Sequence, residues 1–427
     1  MTNVYRTAEE SGASLEELIV LCCIRLHAGT READQLNKLL QSGVEWDKLI
    51  QLARDAIITP LLYLQLSTVC PTLVPPDVTE QLRTDFQANA QHNAMLIRDL
   101  LTIVKRFNRE GIPVIPYKDP LSARTVYGND VPRVYADLDV FIHEGDVARA
   151  TEVLRTLGYS HISYIDAIAD ALDVAIEYHR IFAKDQVSYE RMFSRDRVGP
   201  FDFANDHAGK LEPHWNFLPG RWAIRRNNEP LWARARKVPV GGTNVLSFSP
   251  EDSLLLACIH GTVIHGWLAW KLLNDVTGLI NHTDLNWDQL VTIARQRGCL
   301  RILTVGLLLA NEVAGAPLPE DIIPRLDHDP RTRAYVERVA LQFFHRDATW
   351  HRGIVATNPA HSDLRYVLFM QERVRDKCRS LLRVMMLPVP SDVKMFPSLA
   401  SHTRVFYLLH PALIVIKLLR HRLKPHA

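Results

Sequence analysis

Two aspartates, Asp137 and Asp139, are separated by one residue within the run ADLDVFI, from Ala136 to Ile142. Acidic and apolar residues alternate in this run, which predicts a β-strand because strand side chains alternate between two faces. The two carboxylates then project from the same face, where they repel each other unless a cation lies between them. Mg²⁺ suits such a pair because it takes oxygen ligands and is often held by only one or two carboxylates. Taken alone, the motif also fits an ordinary solvated strand end.

The elements around this strand predict a small sheet between helical regions. A second strand is predicted for GIPVIPY, from Gly111 to Tyr117, and a third for KLEPHWNF, at residues 210–217. Apolar residues recur at helical spacing before residue 108 and again after Ser249. We therefore expect four parts, namely a helical N-terminal region at 1–108, a core at 109–248, a helical domain at 249–345 and a helical tail at 346–427.

Capping residues predict where some of these helices begin and end. Asp77 and Glu80 have the spacing of a capping box at the start of a long helix, and Gly111 lies just beyond its end. Ser249 followed by Pro250 predicts a second helix start, with serine as the N-cap and proline at the first helical position.

Composition limits the classes of function. The chain has 427 residues and 47% hydrophobic content, enough for more than one core, because single cores stop growing at roughly 250–300 residues. A formal net charge of +2 gives no global positive field for binding extended nucleic acid. The six cysteines lack both CxxC spacing and the density of a disulfide-rich secreted domain, so we expect reduced thiols. Without a signal-peptide pattern or a long apolar stretch, a soluble cytoplasmic protein is expected.

The run VIPYKDPLSARTVYGNDVPRVYADLDVFI, followed by LRTLGY, resembles an uncharacterised bacterial nucleotidyltransferase family within the polymerase-β-like superfamily. The matching residues are Lys118, Tyr127-Gly128, Arg133, Asp137-Leu138-Asp139 and Leu157-Gly158-Tyr159. LEPHW matches a later family motif, an acidic residue followed by Leu-His-Trp, at Glu212, His214 and Trp215 with Pro213 in place of leucine. The helical segments before and after are also similar, so the resemblance spans nearly the whole chain. It implies an α+β fold in which a polymerase-β-like nucleotidyltransferase core with a small mixed sheet is flanked by helical N- and C-terminal regions.

The resemblance also implies a reaction. Asp137, Asp139 and Glu212 would hold Mg²⁺ ions, while an acceptor hydroxyl attacks the α-phosphorus of an NTP, with ATP expected, and pyrophosphate leaves. Glu212 would complete the site on the acceptor side and accept the hydroxyl proton, directly or through a metal-bound water. Without the resemblance, the residue type of Glu212 favours an ordinary exposed strand residue. The acceptor can be a hydroxylated metabolite, a peptide or protein side chain, or an RNA end.

Four further residues are candidates for nucleotide contacts. Lys118 can contact phosphate oxygens as a point charge. Arg133 fits either a phosphate contact or a loop ion pair, and His214 fits either a group that orients a carboxylate or a structural histidine. Where the family has Lys-Gly, this chain has Lys118-Asp119-Pro120, so a negative charge replaces the glycine and Pro120 removes one amide donor. Asp119 can cap the following helix, and triphosphate binding can be altered at this turn.

Two segments of the C-terminal half carry other polar groups. We interpret IHGTVIHGW as regular helix, where His260 and His265 lie about 140° apart around the axis and do not converge as in a zinc protease. Asp275 lies four residues after Lys271, which predicts a structural ion pair. The basic, apolar segment from Ser401 fits either a helix packed on the protein body or a contact with an anionic membrane or a partner.

The sequence thus favours an Mg²⁺-dependent enzyme that transfers NMP. The alternative is a noncatalytic adaptor that keeps the fold to bind a nucleotide or a partner, which the Asp119-Pro120 departure suggests. Retention of all three carboxylates, Asp137, Asp139 and Glu212, argues against the adaptor.

Overall fold

Helices form most of the structure, as the apolar spacing predicts. The computed structural model describes residues 8, 12–25, 30–118, 133–135, 137–162, 202–204, 210–218, 222–224, 227–240, 242–267, 269–326, 329–343, 364–386, 409–414 and 416. Before the first strand it describes helices α1 (Leu15–Arg25), α2 (Thr30–Leu40), α3 (Trp46–Asp55), α4 (Thr59–Val69) and α5 (Pro76–Arg109). The predicted helical character of the N-terminal region is therefore confirmed.

The two ends of α5 differ in how well the sequence predicted them. The helix ends before Gly111, which has φ 65 in the left-handed region where glycine is favoured. The predicted capping box is wrong: Pro75 is the N-cap and makes no side-chain hydrogen bond to the helix. Glu80 instead pairs with Arg83, one turn further along the exposed face, at 2.6 Å.

A small mixed sheet follows, made of five short strands in the order β1-β2-β5-β4-β3. The strands are β1 (Val114–Tyr117), β2 (Asp137–Ile142), β3 (Ser160–Ile162), β4 (Asp202–Ala204) and β5 (Lys210–His214). β2 is antiparallel to β1 and parallel to β5, and helix α6 (Val147–Thr156) lies between β2 and β3 in the chain. The three strands predicted from the sequence are all present, and the helix-rich α+β class is confirmed.

The two faces of the sheet belong to different hydrophobic cores. Leu138 packs in one core with Phe107 of α5 and Leu154 of α6. Tyr117 and Phe141, on the opposite face, belong to the second core, which also contains the buried residues of the C-terminal helices. The alternation of a strand therefore directs one face of β2 toward the core that contains the C-terminal helices.

A hairpin that the sequence analysis did not predict covers part of the core. After α7 (Glu229–Arg234), β6 (Arg236–Val240) and β7 (Thr243–Ser247) pair through a turn in which Gly242 has φ 73. β7 lies against β1. β6 is mostly exposed, so its polar residues give no alternating apolar signal.

The chain is helical again from α8 (Pro250–Ile259), and the predicted cap is confirmed because the Ser249 side chain accepts a hydrogen bond from Asp252 N at 3.1 Å. A π-helical segment (His260–His265) follows. The remaining helices are α9 (Trp270–His282), α10 (Trp287–Arg297), α11 (Leu300–Glu312), α12 (Ile322–Leu326), α13 (Pro330–Gln342), α14 (Leu364–Met370) and α15 (Val374–Met386). In the tail, residues 409–414 are helical, while most of the basic segment lies outside the described residues.

Two further observations concern thiols and membranes. All six cysteines are free, and five of them are buried. Within the part of the chain that the structure describes, no helix is both long enough and apolar enough to cross a membrane.

Candidate active site

Two of the three predicted carboxylates lie side by side at the centre of the sheet. In the parallel pairing of β2 with β5, Asp139 lies opposite Glu212. Side chains of directly paired residues project from the same face, so the two carboxylates are neighbours. Asp137 lies two positions earlier on β2, opposite Lys210, and only its backbone is among the described atoms. Its part in the site stays a prediction.

Asp139 is buried, and each of its oxygens has a basic partner. Its side chain is 7% exposed. Nζ of Lys118 lies 3.1 Å from Oδ2. Nε2 of His214 lies 2.5 Å from Oδ1 and 3.6 Å from Oε2 of Glu212. The predicted residues Lys118, Asp139, Glu212 and His214 are therefore brought together in one cluster.

Electrostatics favour the charged forms of this cluster. Burial by itself raises the pKa of Asp139, but the charge of Lys118 and the hydrogen bond from His214 more than offset it, so the pKa lies well below its ordinary value. Burial is the largest single influence on the pKa of His214 and lowers it, but the hydrogen bond to Asp139, the charge of Asp139 and the hydrogen bond to Glu212 together outweigh it, so the pKa is raised. An ionised Asp139 therefore lies between two cationic groups.

The donor set fits a divalent cation. Asp139, Glu212 and His214 each offer one ligand atom, and these atoms lie within 4.8 Å of one another. Carboxylate oxygens are the ligands that hard cations prefer. Nδ1 of His214 is buried and has no hydrogen-bond partner within the described structure.

The backbone at Lys118 is strained. Lys118 has φ 52, a left-handed conformation that is unfavourable for a residue with a side chain. Such strain persists only when surrounding contacts enforce it. Here the Lys118 carbonyl accepts a hydrogen bond from Arg133, and its ammonium group lies 4.9 Å from the centre of the Tyr117 ring. Asp119, the next residue, lies outside the described residues.

Arg133 joins the segment before β2 to helix α9. Its Nη2 lies 3.0 Å from Oδ2 of Asp275 in α9, and its guanidinium group lies over the ring of Tyr135 at 4.7 Å. Of the two roles considered for Arg133, the ion pair is present. The predicted partner of Asp275 was Lys271, and the contact with Arg133 is one that sequence spacing could not reveal because the residues are far apart in the chain.

A comparison of the sequence with protein-family models assigns the chain to a family. Residues 42–315, more than half of the chain, match the model described as an uncharacterised nucleotidyltransferase. The chain belongs to this nucleotidyltransferase family. The matched segment contains Lys118, Asp139, Glu212 and His214. No curated protein and no solved structure matches the chain.

The structure also contradicts the sequence prediction for two histidines of this family member. His260 and His265 converge, with their Nε2 atoms 3.0 Å apart and their ring centres 4.5 Å apart. The expected separation of about 140° assumed a regular α-helix. The segment is instead π-helical, and its i to i+5 hydrogen-bonding period places residues five apart on the same side. Gly261 and Gly266 in this segment were the available signal that the helix is not regular.

Proposed function

We propose that the chain is an Mg²⁺-dependent nucleotidyltransferase that moves an NMP group from an NTP, with ATP expected, to a hydroxyl-bearing acceptor. The observation that carries this proposal is the pairing of Asp139 with Glu212 on adjacent parallel strands, beside Lys118, in a member of a nucleotidyltransferase family. The sheet at residues 109–248 would be a polymerase-β-like core, and the helical domain at 249–345 would pack beside it.

Asp137, Asp139 and Glu212 would hold the metal, which when bound supplies positive charge to the α-phosphate and to the attacking and leaving oxygens. The acceptor hydroxyl oxygen forms a bond to the α-phosphorus, and the bond from that phosphorus to the bridging oxygen of pyrophosphate breaks. Glu212 is the proposed acceptor of the hydroxyl proton, because its side chain is 18% exposed and so remains reachable by a substrate.

Lys118 and His214 have different tasks in this proposal. Lys118 leaves Asp139 and binds a phosphate oxygen, which its flexible stem and single charge permit. His214 is 2% exposed and keeps its hydrogen bond to Asp139, so it fixes the direction of that carboxylate. Arg133 holds the Lys118 carbonyl. It would approach the same phosphates, and Asp119 would either cap the next helix or lie beside the triphosphate.

The test is incubation of the purified protein with each α-labelled NTP, Mg²⁺ and a host extract, followed by mass identification of the labelled product. A label that depends on one NTP, persists in Glu152→Gln and disappears in Glu212→Gln is expected, because Glu152 is an exposed helix residue of the same core. Nucleotide binding without transfer would instead favour the noncatalytic adaptor. Equal labelling by wild type and Glu212→Gln would contradict the assigned site.

A further inference from the structure

Helix α15 exposes its apolar side chains to solvent. The exposed fraction is 74% for Val374, 37% for Leu381, 59% for Leu382 and 45% for Met385, and Cys378 is exposed as well. At about 3.6 residues per turn, these five positions fall within an arc of about 100° and extend for about 16 Å along the helix axis. We call these five residues the apolar stripe. Single exposed apolar residues are normal, but a contiguous exposed stripe marks an interaction site.

The opposite side of α15 is polar and buried. Asp376 and Ser380 lie there, about half a turn around the axis from the middle of the stripe. The Ser380 hydroxyl accepts a hydrogen bond from the Ala223 backbone N–H at 3.0 Å, and it lies 2.7 Å from the side-chain nitrogen of Gln371. These contacts fix the rotation of the helix about its axis. A helix of a globular protein normally turns its apolar side to the core, so α15 is oriented the other way round.

Basic side chains border the apolar stripe on both sides. Lys377 lies beside it on one side, and Arg375 and Arg379 lie on the other. Arg375 and Arg379 are exposed and Lys377 is half-buried. Nε of Arg375 lies 3.4 Å from Asp376, whereas Lys377 and Arg379 have no carboxylate partner within the described residues. Asp376, the acidic residue of α15, is buried, so the solvent-facing charges of this helix are positive.

The C-terminal segment meets α15 where the stripe ends. Nδ1 of His410 lies 2.8 Å from the carbonyl oxygen of Met385. Leu409, its neighbour in the chain, is 42% exposed. The sequence from Ser401 onward contains basic residues but no acidic one. An exposed apolar side chain of this basic segment therefore lies close to the end of the stripe.

These features fit an anionic lipid surface better than a second copy of the chain. In a two-fold contact between two stripes the same surface lies on both partners, so Lys377 and Arg379 would face the positive charges of the other copy. The phosphate groups of anionic lipids instead complement these charges. Val374 and Leu382 project far enough into solvent to enter the boundary between headgroups and acyl chains, where helices with an apolar side and basic borders lie.

We propose that the apolar stripe docks the protein on an anionic membrane surface. The stripe would enter the headgroup region with α15 parallel to the surface, while Arg375, Lys377 and Arg379 contact lipid phosphates. This site differs from the basic segment after Ser401, for which the sequence left a membrane contact open. It goes beyond the proposed function, because none of its residues belongs to the candidate active site.

Flotation of the purified full-length protein with vesicles tests this site. Wild-type protein should bind vesicles of equal parts phosphatidylserine and phosphatidylcholine, and the binding should weaken in high salt. The double variant Leu382→Gln, Met385→Gln should bind at least about tenfold more weakly, because two apolar side chains no longer leave water on binding. Met95→Gln is the matched control, since Met95 is 49% exposed on α5, and it should bind as wild type does.

A second pair of variants tests the basic borders. Lys377→Gln with Arg379→Gln should weaken binding to the anionic vesicles several-fold and leave binding to phosphatidylcholine alone unchanged. Lys105→Gln with Arg109→Gln removes two exposed basic residues of α5 instead and should change the binding less than about twofold. Equal effects of the two double variants would remove the basic borders from the site and overturn the inference.

Three further kinds of result would overturn the inference. Wild-type protein that does not float, or that floats equally well with phosphatidylcholine alone, has no anionic membrane site. Unchanged flotation of Leu382→Gln, Met385→Gln would assign the binding to another part of the chain, such as the basic segment, which all variants retain. Wild-type protein that elutes as a dimer in gel filtration while this variant elutes as a monomer would assign the stripe to a second copy.

Folding of each variant is checked by circular dichroism. Should Leu382→Gln, Met385→Gln not fold, Val374→Gln replaces it, because Val374 is the most exposed residue of the stripe and begins the helix. This variant must then weaken binding several-fold, and unchanged binding there also overturns the inference.

Discussion

Lys118→Met should make the protein bind a divalent cation more tightly in the absence of nucleotide. At the proposed metal site, the Lys118 ammonium group would compete with the metal ion for the same Asp139 carboxylate. With Nζ 3.1 Å from Oδ2, the gross Coulomb attraction is about 5 kcal/mol at an effective dielectric constant of about 20. Most of this Coulomb attraction is offset by desolvation of the two charges, and a hydrogen bond to a charged group contributes about 1.5–3 kcal/mol net. In Lys118→Met a divalent cation does not have to displace an ammonium group from Asp139. It should therefore bind roughly tenfold to a hundredfold more tightly than to the wild-type protein.

Mn²⁺ is a suitable probe, because its free concentration can be followed by electron paramagnetic resonance at fixed protein concentration. Lys105→Met is the matched control, since Lys105 is an exposed residue of α5 and its removal should leave Mn²⁺ affinity unchanged. The same Lys118→Met variant should require a higher NTP concentration for transfer, because it lacks the proposed phosphate contact.

The two expected effects have opposite directions, because Mn²⁺ affinity rises while a higher NTP concentration is needed. Unchanged or weaker Mn²⁺ binding in Lys118→Met would show that Lys118 does not compete with a metal ion for Asp139. Tighter Mn²⁺ binding together with unchanged NTP dependence would support the competition but remove Lys118 from phosphate binding. Methionine keeps much of the lysine stem, so a packing defect at the Tyr117 ring is minimised.

Asp139→Asn should abolish Mg²⁺-dependent NTP binding and lower the free energy of unfolding by about 2 kcal/mol in urea denaturation, because two basic partners lose their anion. Folding lowers the pKa of Asp139, so the difference in free energy of unfolding between wild type and variant should be constant above about pH 5 and shrink as pH falls through about 4. A difference that stays constant down to about pH 3 would contradict this expectation. A double-mutant cycle of Arg133→Met with Asp275→Asn should give a coupling of about 1 kcal/mol, and additive effects would refute the ion pair. Asp119→Asn should raise NTP affinity modestly if Asp119 is only a cap and lower it if Asp119 is a metal ligand, and no change would place Asp119 away from the phosphates.

The sequence predicted the sheet of this site well because its signal is local. Alternation in β2 placed Asp139 on one face, and the pattern of KLEPHWNF predicted a later strand that carries Glu212. The parallel pairing of that strand with β2 is known only from the structure. The surroundings of Asp139 could not be predicted in the same way. The structure places Lys118 and His214 against its two oxygens, which only the three-dimensional arrangement reveals.

The features that the sequence missed depend on long-range packing. The convergence of His260 and His265 follows from a π-helical segment, and that segment is fixed by the buried Trp267 ring and by Tyr366 from a distant helix. No periodicity within the segment encodes those contacts. Strand β6 was missed for a different reason. Its side chains are mostly exposed, so its sequence lacks the alternation of apolar and polar residues that predicts a strand. The division into four domains and the role of the C-terminal tail stay predictions.

The contacts of Lys118 connect the candidate active site to helix α9. Its ammonium group contacts Asp139 in the sheet, and its carbonyl accepts a hydrogen bond from Arg133, whose guanidinium group is paired with Asp275 in α9. These contacts run without a break from the carboxylate to the helix, so if Lys118 exchanges Asp139 for a phosphate as proposed, the backbone that Arg133 holds would stay in place. The left-handed backbone at Lys118 belongs to this arrangement, in which the side chain reaches Asp139 while the carbonyl is held by Arg133.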